Sequence, residues 1–415
     1  MTLSEELLWR GFVQQTTYQD LKAIDKTKPA FYHGFDASAD SQTVGNLAAM
    51  MFDKVLMRHG CKAVILAGGA TSLIGDPGGK DKERVLQDEK TIAHNVAQAQ
   101  IQLSKIFDGL EFEMVNNLDW TRDMTVLSFL RDIGKHYSMT PLIQRDYIAQ
   151  RIGEGGAGIS YTEFSYTLLQ GMDFLHLYDK YGVTLQLGGS DQWGNCLSGV
   201  DLIRKARGVE VHTITLPLVI NRATGKKFGK SEEGAVWLDP TKTSPFKFYQ
   251  FWINLDDDGV EGYLKVYTEL DKESIDEIME SHNQSKGNRL AQKHLAYQVS
   301  KILHGEKTAD SMQRISETLF GGQNYSELSS EDMEVLAGEL PVVESGYDKT
   351  LSDILIEGDL AASKSEARRF LASNAVYING EQFSSEKQTL DGSDNIHGYA
   401  VLRRGKNNTI LVKLN

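Results

Sequence analysis

Three stretches of this sequence combine residue types that chemistry can use. In Lys226-Lys227-Phe228-Gly229-Lys230-Ser231-Glu232, three ammonium groups surround a glycine. Cations on such a loop can close over a polyphosphate and offset the charge that builds as pyrophosphate leaves, although a solvated surface loop has the same composition. Residues 32–47 read as a strand end, a glycine-containing turn and the capped start of an apolar helix. There Thr43, Gly45 and Asn46 stand where backbone N–H groups and the helix dipole favour an anion, and equally where an ordinary cap would stand. The third feature pairs residues 161–174 with residues 186–195. On a helix, Tyr166, Gln170 and Asp173 fall at i, i+4 and i+7, so three polar groups share a face flanked by Phe164, Leu168, Leu169 and Phe174. Polar groups are costly in a plain core, so the face is either a binding surface or a hydrogen-bonded core network.

The elements that must position these groups follow from the patterning. Between residues 30 and 220, short β-rich runs alternate with longer amphipathic stretches, which predicts an α/β fold with a parallel sheet and crossover helices. Ala63–Ala67 ends in Gly68-Gly69, residues 183–187 end in Gly188-Gly189-Ser190, and residues 212–220 read as a third strand. Glycines directly after strands put backbone at the carboxyl edge of the sheet, where open α/β folds bind nucleotides. From Ser244 to about Leu340 the pattern is helical, broken at Asp256-Asp257-Asp258-Gly259 and Phe320-Gly321-Gly322. Residues 341–349, around Glu344-Ser345-Gly346, read as a linker to a small α/β unit over 350–415.

With 415 residues, 40% of them hydrophobic, the chain holds apolar material for two or three cores. Its longest apolar runs fall far short of the roughly 18 residues that span a membrane, and residues 1–11 carry acids where a signal peptide is basic, so a soluble, cytoplasmic protein without membrane association is expected. Cys61 and Cys196 lack the spacing for a zinc site or disulfide framework and read as buried thiols. A net charge of −13 excludes nucleic-acid binding through a global positive field. The charge is uneven: from Thr350 onward eight bases balance eight acids, so the whole deficit lies in the preceding residues.

Taken together, Gly188-Gly189-Ser190-Asp191-Gln192-Trp193-Gly194-Asn195, the run from Gly68 to Pro77 and Lys227-Phe228-Gly229-Lys230-Ser231 resemble bacterial tyrosyl-tRNA synthetases, class I aminoacyl-tRNA synthetases, and the resemblance covers essentially the whole chain. The lysine segment stands for that family's Lys-Met-Ser-Lys-Ser signature; Thr43-Val44-Gly45-Asn46 occupies the place of His-Ile-Gly-His and departs at both histidines. Residues 363–369 and 376–380 look like the small RNA-binding domain that the family shares with a ribosomal protein.

The resemblance implies a Rossmann-like catalytic domain over 1–230, the end of the signature loop with a helical anticodon-binding domain over 231–340, a linker over 341–349 and an RNA-binding domain over 350–415. It implies activation of L-tyrosine with ATP, transfer to tRNA(Tyr), magnesium accompanying the ATP phosphates without a protein metal site, and a homodimer. Tyr32 and Asp173 would hold the phenolic hydroxyl, Tyr166, Gln170 and Asp76 the amino group, and Gln192 the carboxylate. His33, Gly34, Gly189 and Asp191 would line the ribose, with Asp36, Gly45 and Lys230 also on the ATP side. Lys80, Arg84, Lys227 and Lys230 are the candidates for stabilising pyrophosphate, and Thr43 and Asn46 would donate to phosphate in place of the histidines. Lys364, Arg368, Arg369, Arg403 and Arg404 are candidate tRNA contacts. A paralogue that binds without charging tRNA is the alternative that the altered first signature raises. An enzyme activating tryptophan is another, against which the Tyr32/Asp173 hydroxyl clamp speaks.

Overall fold

A computed structural model describes residues 1–74, 87–144, 146–156, 158–220, 225, 228–231, 234–322, 324–383, 387–405 and 408–415; for Pro141, Asp146, Tyr147, Lys230 and Ser231 it describes the backbone alone. The six strands of the main sheet are β1 (Gln15–Thr16), β2 (Phe31–Phe35), β3 (Ala63–Ala67), β4 (Phe112–Asn116), β5 (Leu185–Gly189) and β6 (His212–Leu216). Their order is β1-β6-β5-β2-β3-β4. All pairings are parallel except that of β1 with β6. All five residues of β3 are buried, as a strand covered on both faces requires.

From β2 the chain winds outward through β3 and β4, then crosses back so that β5 and β6 lie on the other side of β2. The reversal falls between β2 and β5, and the crevice at the carboxyl ends of such a pair is where this architecture binds ligands. The expected parallel, Rossmann-like sheet is present. Two strands begin or end differently from the sequence reading. β6 stops at Leu216 because Pro217 has no N–H to continue the ladder. β5 runs on through Gly188 and Gly189, which pair with Thr215 and Leu216. A side chain at Gly188 would press at 3.3 Å on Cys196 and Gln192, so glycine lets the next helix start close to the strand.

Two compact units form, one from residues 1–244 with 254–303, the other from 245–253 with 304–415. Neither division at 230 nor at 340 coincides with a unit boundary. A short hairpin in the first unit joins β7 (Lys230–Ser231) to β8 (Gly234–Ala235). The second unit contains a sheet of β9 (Val342–Ser345), β10 (Val376–Ile378), β11 (Glu381–Gln382), β12 (Tyr399–Arg404) and β13 (Asn408–Leu414), in the order β11-β10-β12-β13-β9. Val343, Ile354, Leu355, Val376, Leu402, Ile410 and Val412 form its core. The segment expected to be a linker is therefore structural over Val342–Ser345, where β9 runs parallel to β13. Its residues alternate between exposed and buried, a strand period hidden by the polar Glu344-Ser345-Gly346 that follows the two valines.

Candidate functional site

A cleft of about 390 Å³ opens at the carboxyl ends of β2, β3, β5 and β6, at the start of the Val44–Arg58 helix. Register decides which side chains face which wall. Tyr32 lies level with Val64 and Gln186, and His33 with Ile65 and Leu187, so these two neighbours in β2 serve opposite faces of the sheet.

On the Tyr32 face stands the Tyr161–Tyr181 helix. Ser160 and Glu163 close a capping box at its start, and Gly182, at φ 68°, ends it. The helix delivers Tyr166, Gln170 and Asp173 to the cleft together, as their spacing predicts. Asp173 is buried, Oδ1 accepting from the indole N–H of Trp120 at 2.9 Å and Oδ2 from the amide of Asn117 at 3.0 Å. Burial pushes its carboxyl up to about 7, against the opposing pull of the Asn117 and Trp120 hydrogen bonds. Burial likewise holds the Tyr32 hydroxyl well above its ordinary value, so it stays protonated. The Tyr32 hydroxyl, Gln170 Oε1 and Gln186 Oε1 are all buried and have no hydrogen-bond partner among the described residues. Each such orphan costs about 1–3 kcal/mol, and three beside one carboxylate call for a polar ligand that satisfies them. Tyr166 donates its hydroxyl to Asp36 at 3.3 Å, which places Asp36 at the meeting of the two walls rather than simply across a turn.

On the opposite face, His33 Nδ1 lies 2.8 Å from Oδ2 of Asp53, which projects from the Val44–Arg58 helix. At the start of that helix, both the backbone N–H of Thr43 (3.0 Å) and its hydroxyl (2.8 Å) donate to Asn46 Oδ1. The Thr43 hydroxyl thus donates to its neighbour, and Thr43 is not among the residues that line the cleft. Asn46 does line it, with Oδ1 engaged by Thr43. After β5, the Asp191 carboxylate lies over Gly189, where a Cβ would approach it to 2.6 Å. Gln192 Oε1 accepts from Asn195, whose own Oδ1 accepts from Thr167.

The two signature segments meet backbone to backbone. Gly229 adopts φ 88°, and a Cβ there would lie 2.9 Å from the Gly45 nitrogen. Phe228 anchors the contact, buried and stacked on Tyr263 at 4.6 Å. Asp76, Lys80, Arg84 and Lys227 lie outside the described residues, and Lys230 is described only as backbone in β7.

In the second unit, Lys364, Arg368 and Arg369 are exposed on the Lys364–Ala372 helix, Lys364 paired with Asp353 and Arg369 with Glu366. Arg403 and Arg404 differ. The former lies over the Tyr377 ring at 4.5 Å; the latter lies over Phe370 and donates to the Leu360 carbonyl, a structural commitment that their charge alone did not foretell.

Asn117, Trp120, Gln186 and Asp53 were not singled out from the sequence. Asn117 had a signal, the Asn116-Asn117 pair that closes β4; Asp53 had none, since a lone acid in an apolar helix looks like a surface residue. Both cysteines are buried as expected, with thiols pushed up to about 11 for Cys61 and about 12 for Cys196 by that burial. Among the described residues no helix is long and apolar enough to cross a membrane, and no group of three or more His, Cys, Asp or Glu could hold a metal.

Comparison with known proteins places these features in context. Residues 25–321 match the family model for class I tRNA synthetases (W and Y), and residues 332–412 that for the tyrosine–tRNA ligase SYY-like C-terminal domain. A tyrosine–tRNA ligase 1 of Streptococcus thermophilus is 42% identical over 98% of this chain and 98% of its own. A tyrosine–tRNA ligase of Salmonella arizonae is 45% identical over 99% and 97%. Among solved structures, a C-terminally truncated Aspergillus nidulans mitochondrial tyrosyl-tRNA synthetase superposes with a TM-score of 0.69 at 30% identity, covering 77% of this chain and 94% of that one.

Proposed function

The chain belongs to the class I tRNA synthetases of the tryptophan and tyrosine group, and from this premise we infer the work of each wall of the cleft. Its function is tyrosine–tRNA ligation, with ATP as a substrate. The observation that carries the choice of amino acid is the protonated Tyr32 hydroxyl beside the Asp173 carboxylate at the buried end of the cleft. A phenol entering there donates to Asp173 and accepts from Tyr32. Phenylalanine leaves the Tyr32 hydroxyl without a partner and brings Asp173 no donor, and tryptophan brings an indole N–H but no oxygen to accept from Tyr32. Gln170 and Tyr166 are proposed to hold the amino group with Asp76, and Gln192 to hold the carboxylate.

We place ATP on the other wall, its ribose between Gly34, Gly189 and Asp191 and its phosphates at the start of the Val44–Arg58 helix, where Asn46 and the positive end of the helix dipole favour an anion. Magnesium comes with ATP as part of that substrate. The tyrosine carboxylate then attacks the α-phosphorus in line and pyrophosphate leaves, a step in which the protein supplies position and charge, without a nucleophile of its own. Lys80, Arg84, Lys227 and Lys230 are proposed to offset the charge on the departing group. The Lys364–Ala372 helix is proposed to take the tRNA backbone. A homodimer is proposed because Val126, Leu127 and Leu130 stand 73%, 80% and 49% exposed on consecutive turns, an apolar surface suited to a second copy. A cytoplasmic location is proposed from these substrates.

Pyrophosphate exchange driven by each amino acid separately tests the assignment. Tyrosine is expected to exceed phenylalanine by a factor on the order of 10⁵, the figure established for this enzyme class. Exchange driven equally well by tryptophan would defeat the Tyr32/Asp173 reading.

A further inference from the structure

The ATP wall contains a buried acid–base pair that the steps above leave without a part. Asp53 is wholly buried within the Val44–Arg58 helix, Oδ2 on His33 Nδ1 at 2.8 Å and Oδ1 without a hydrogen-bond partner among the described residues. A carboxylate so placed is heavily penalised unless a cation answers it, and asparagine or leucine would fill the same helix face with less strain on the core. The answering group comes from β2. Burial drives the His33 pKa down, but the charge and hydrogen bond of Asp53 raise it and prevail, while burial raises the Asp53 carboxyl too, so the two hold a proton between Oδ2 and Nδ1. With Nδ1 on the acid, Nε2 is the remaining ring nitrogen. His33 borders the cleft with its side chain 16% exposed, and Ile65 and Leu187, its neighbours across the sheet, are apolar and give Nε2 nothing to bond.

We propose that Asp53 is a positioning residue for tyrosine activation, fixing the His33 ring so that Nε2–H is aimed at the ribose–phosphate portion of ATP. The pair lies on the sheet face away from Tyr32 and Asp173, so its effect falls on the nucleotide and not on the amino acid. The proposal rests on the placement of ATP beside Gly189 and Asp191.

Four variants test it in pyrophosphate exchange, with tyrosine dissociation constants and melting temperatures measured alongside. Asp53→Asn and His33→Gln are each expected to raise the KM for ATP about tenfold, as loss of a charge-assisted bond would, while the tyrosine dissociation constant moves less than about twofold. The double variant is expected to raise the ATP KM no further than His33→Gln alone, because one interaction is being removed twice. It is also expected to melt above His33→Gln, since asparagine leaves no unanswered charge in the core. A folded Asp53→Asn protein with unchanged ATP KM, or one in which ATP KM and tyrosine dissociation constant rise together, overturns the positioning role. Asp191→Asn separates the two layers. If it raises the ATP KM while Asp53→Asn does not, the role of Asp53 fails alone; if neither variant does, the placement of ATP fails with it.

Discussion

At the scale of single residues, Asp173 carries the most testable chemistry. Its carboxyl is raised to about 7 by burial, so near neutrality the ligand-free protein divides between protonated and ionised forms. A phenol donates to the ionised form, hence tyrosine affinity is expected to weaken as pH falls below about 7, by roughly tenfold from pH 8 to pH 6. The stability of the ligand-free protein moves the opposite way. The folded pKa exceeds the unfolded one, so this residue's contribution is fully present below about 4 and is lost as pH rises through 7, at about 1.4 kcal/mol per unit of difference. Asp173→Asn is expected to flatten both profiles, and a wild-type tyrosine dissociation constant constant from pH 6 to 8 would defeat this account. The i, i+4, i+7 spacing exposed Tyr166, Gln170 and Asp173 to a reading of sequence alone because a helix turns local order into a face. Asn117 and Trp120, which arrive from 50 and more residues away to hold the same carboxylate, leave no such trace.

At the scale of elements, the start of the Val44–Arg58 helix shows how a cap and a site can share atoms. Asn46 Oδ1 takes two donors from Thr43, which fixes the amide of a residue that also lines the cleft. Asn46→Leu is expected to slow adenylation by about 1.5–3 kcal/mol of transition-state stabilisation, and to cost about 1 kcal/mol of helix stability as a lost cap. Thr43→Val keeps the backbone donor to Oδ1 and is expected to slow the same step less. Equal rates for wild type and a stable Asn46→Leu protein would leave the cap as the residue's whole purpose. Gly229 gives a second test at this scale. With φ 88° and the Gly45 nitrogen 2.9 Å from where a Cβ would stand, alanine cannot enter without separating the two signature segments. Gly229→Ala is therefore expected to depress the adenylation rate with little change in tyrosine affinity, and a matched loss of both would mean that the loop supports the amino-acid wall instead. Motif spacing announced each segment; their contact depended on Phe228 stacking on Tyr263, a pairing between distant elements that no local pattern encodes.

At the scale of the whole molecule, charge divides where function is proposed to divide. The acidic deficit resides before residue 350, and the balanced tail concentrates Lys364, Arg368 and Arg369 on one exposed helix of the second unit. The parallel sheet was legible because buried strands read as apolar runs ending in glycine. The strand within the expected linker was not, because β9 is four residues long and only two of them are valine. Of the basic candidates, Arg404 is tied to a backbone carbonyl and Lys364 to an acid, whereas Arg368 forms no ion pair among the described residues and projects into solvent. A phosphate contact from Arg368 and Arg369 releases counterions, so its loss lowers both affinity and the salt sensitivity of affinity. Replacing the two arginines together by alanine is expected to weaken tRNA binding and to reduce the slope of log affinity against log salt by about 2, at about 0.9 per duplex phosphate. Exchange without tRNA requires only the cleft, whose described walls lie entirely in the first unit, and is expected to keep its wild-type rate. A variant that binds tRNA with an unaltered salt slope would remove this helix from the RNA surface, and one that loses tRNA-independent exchange would show that the second unit acts on activation itself.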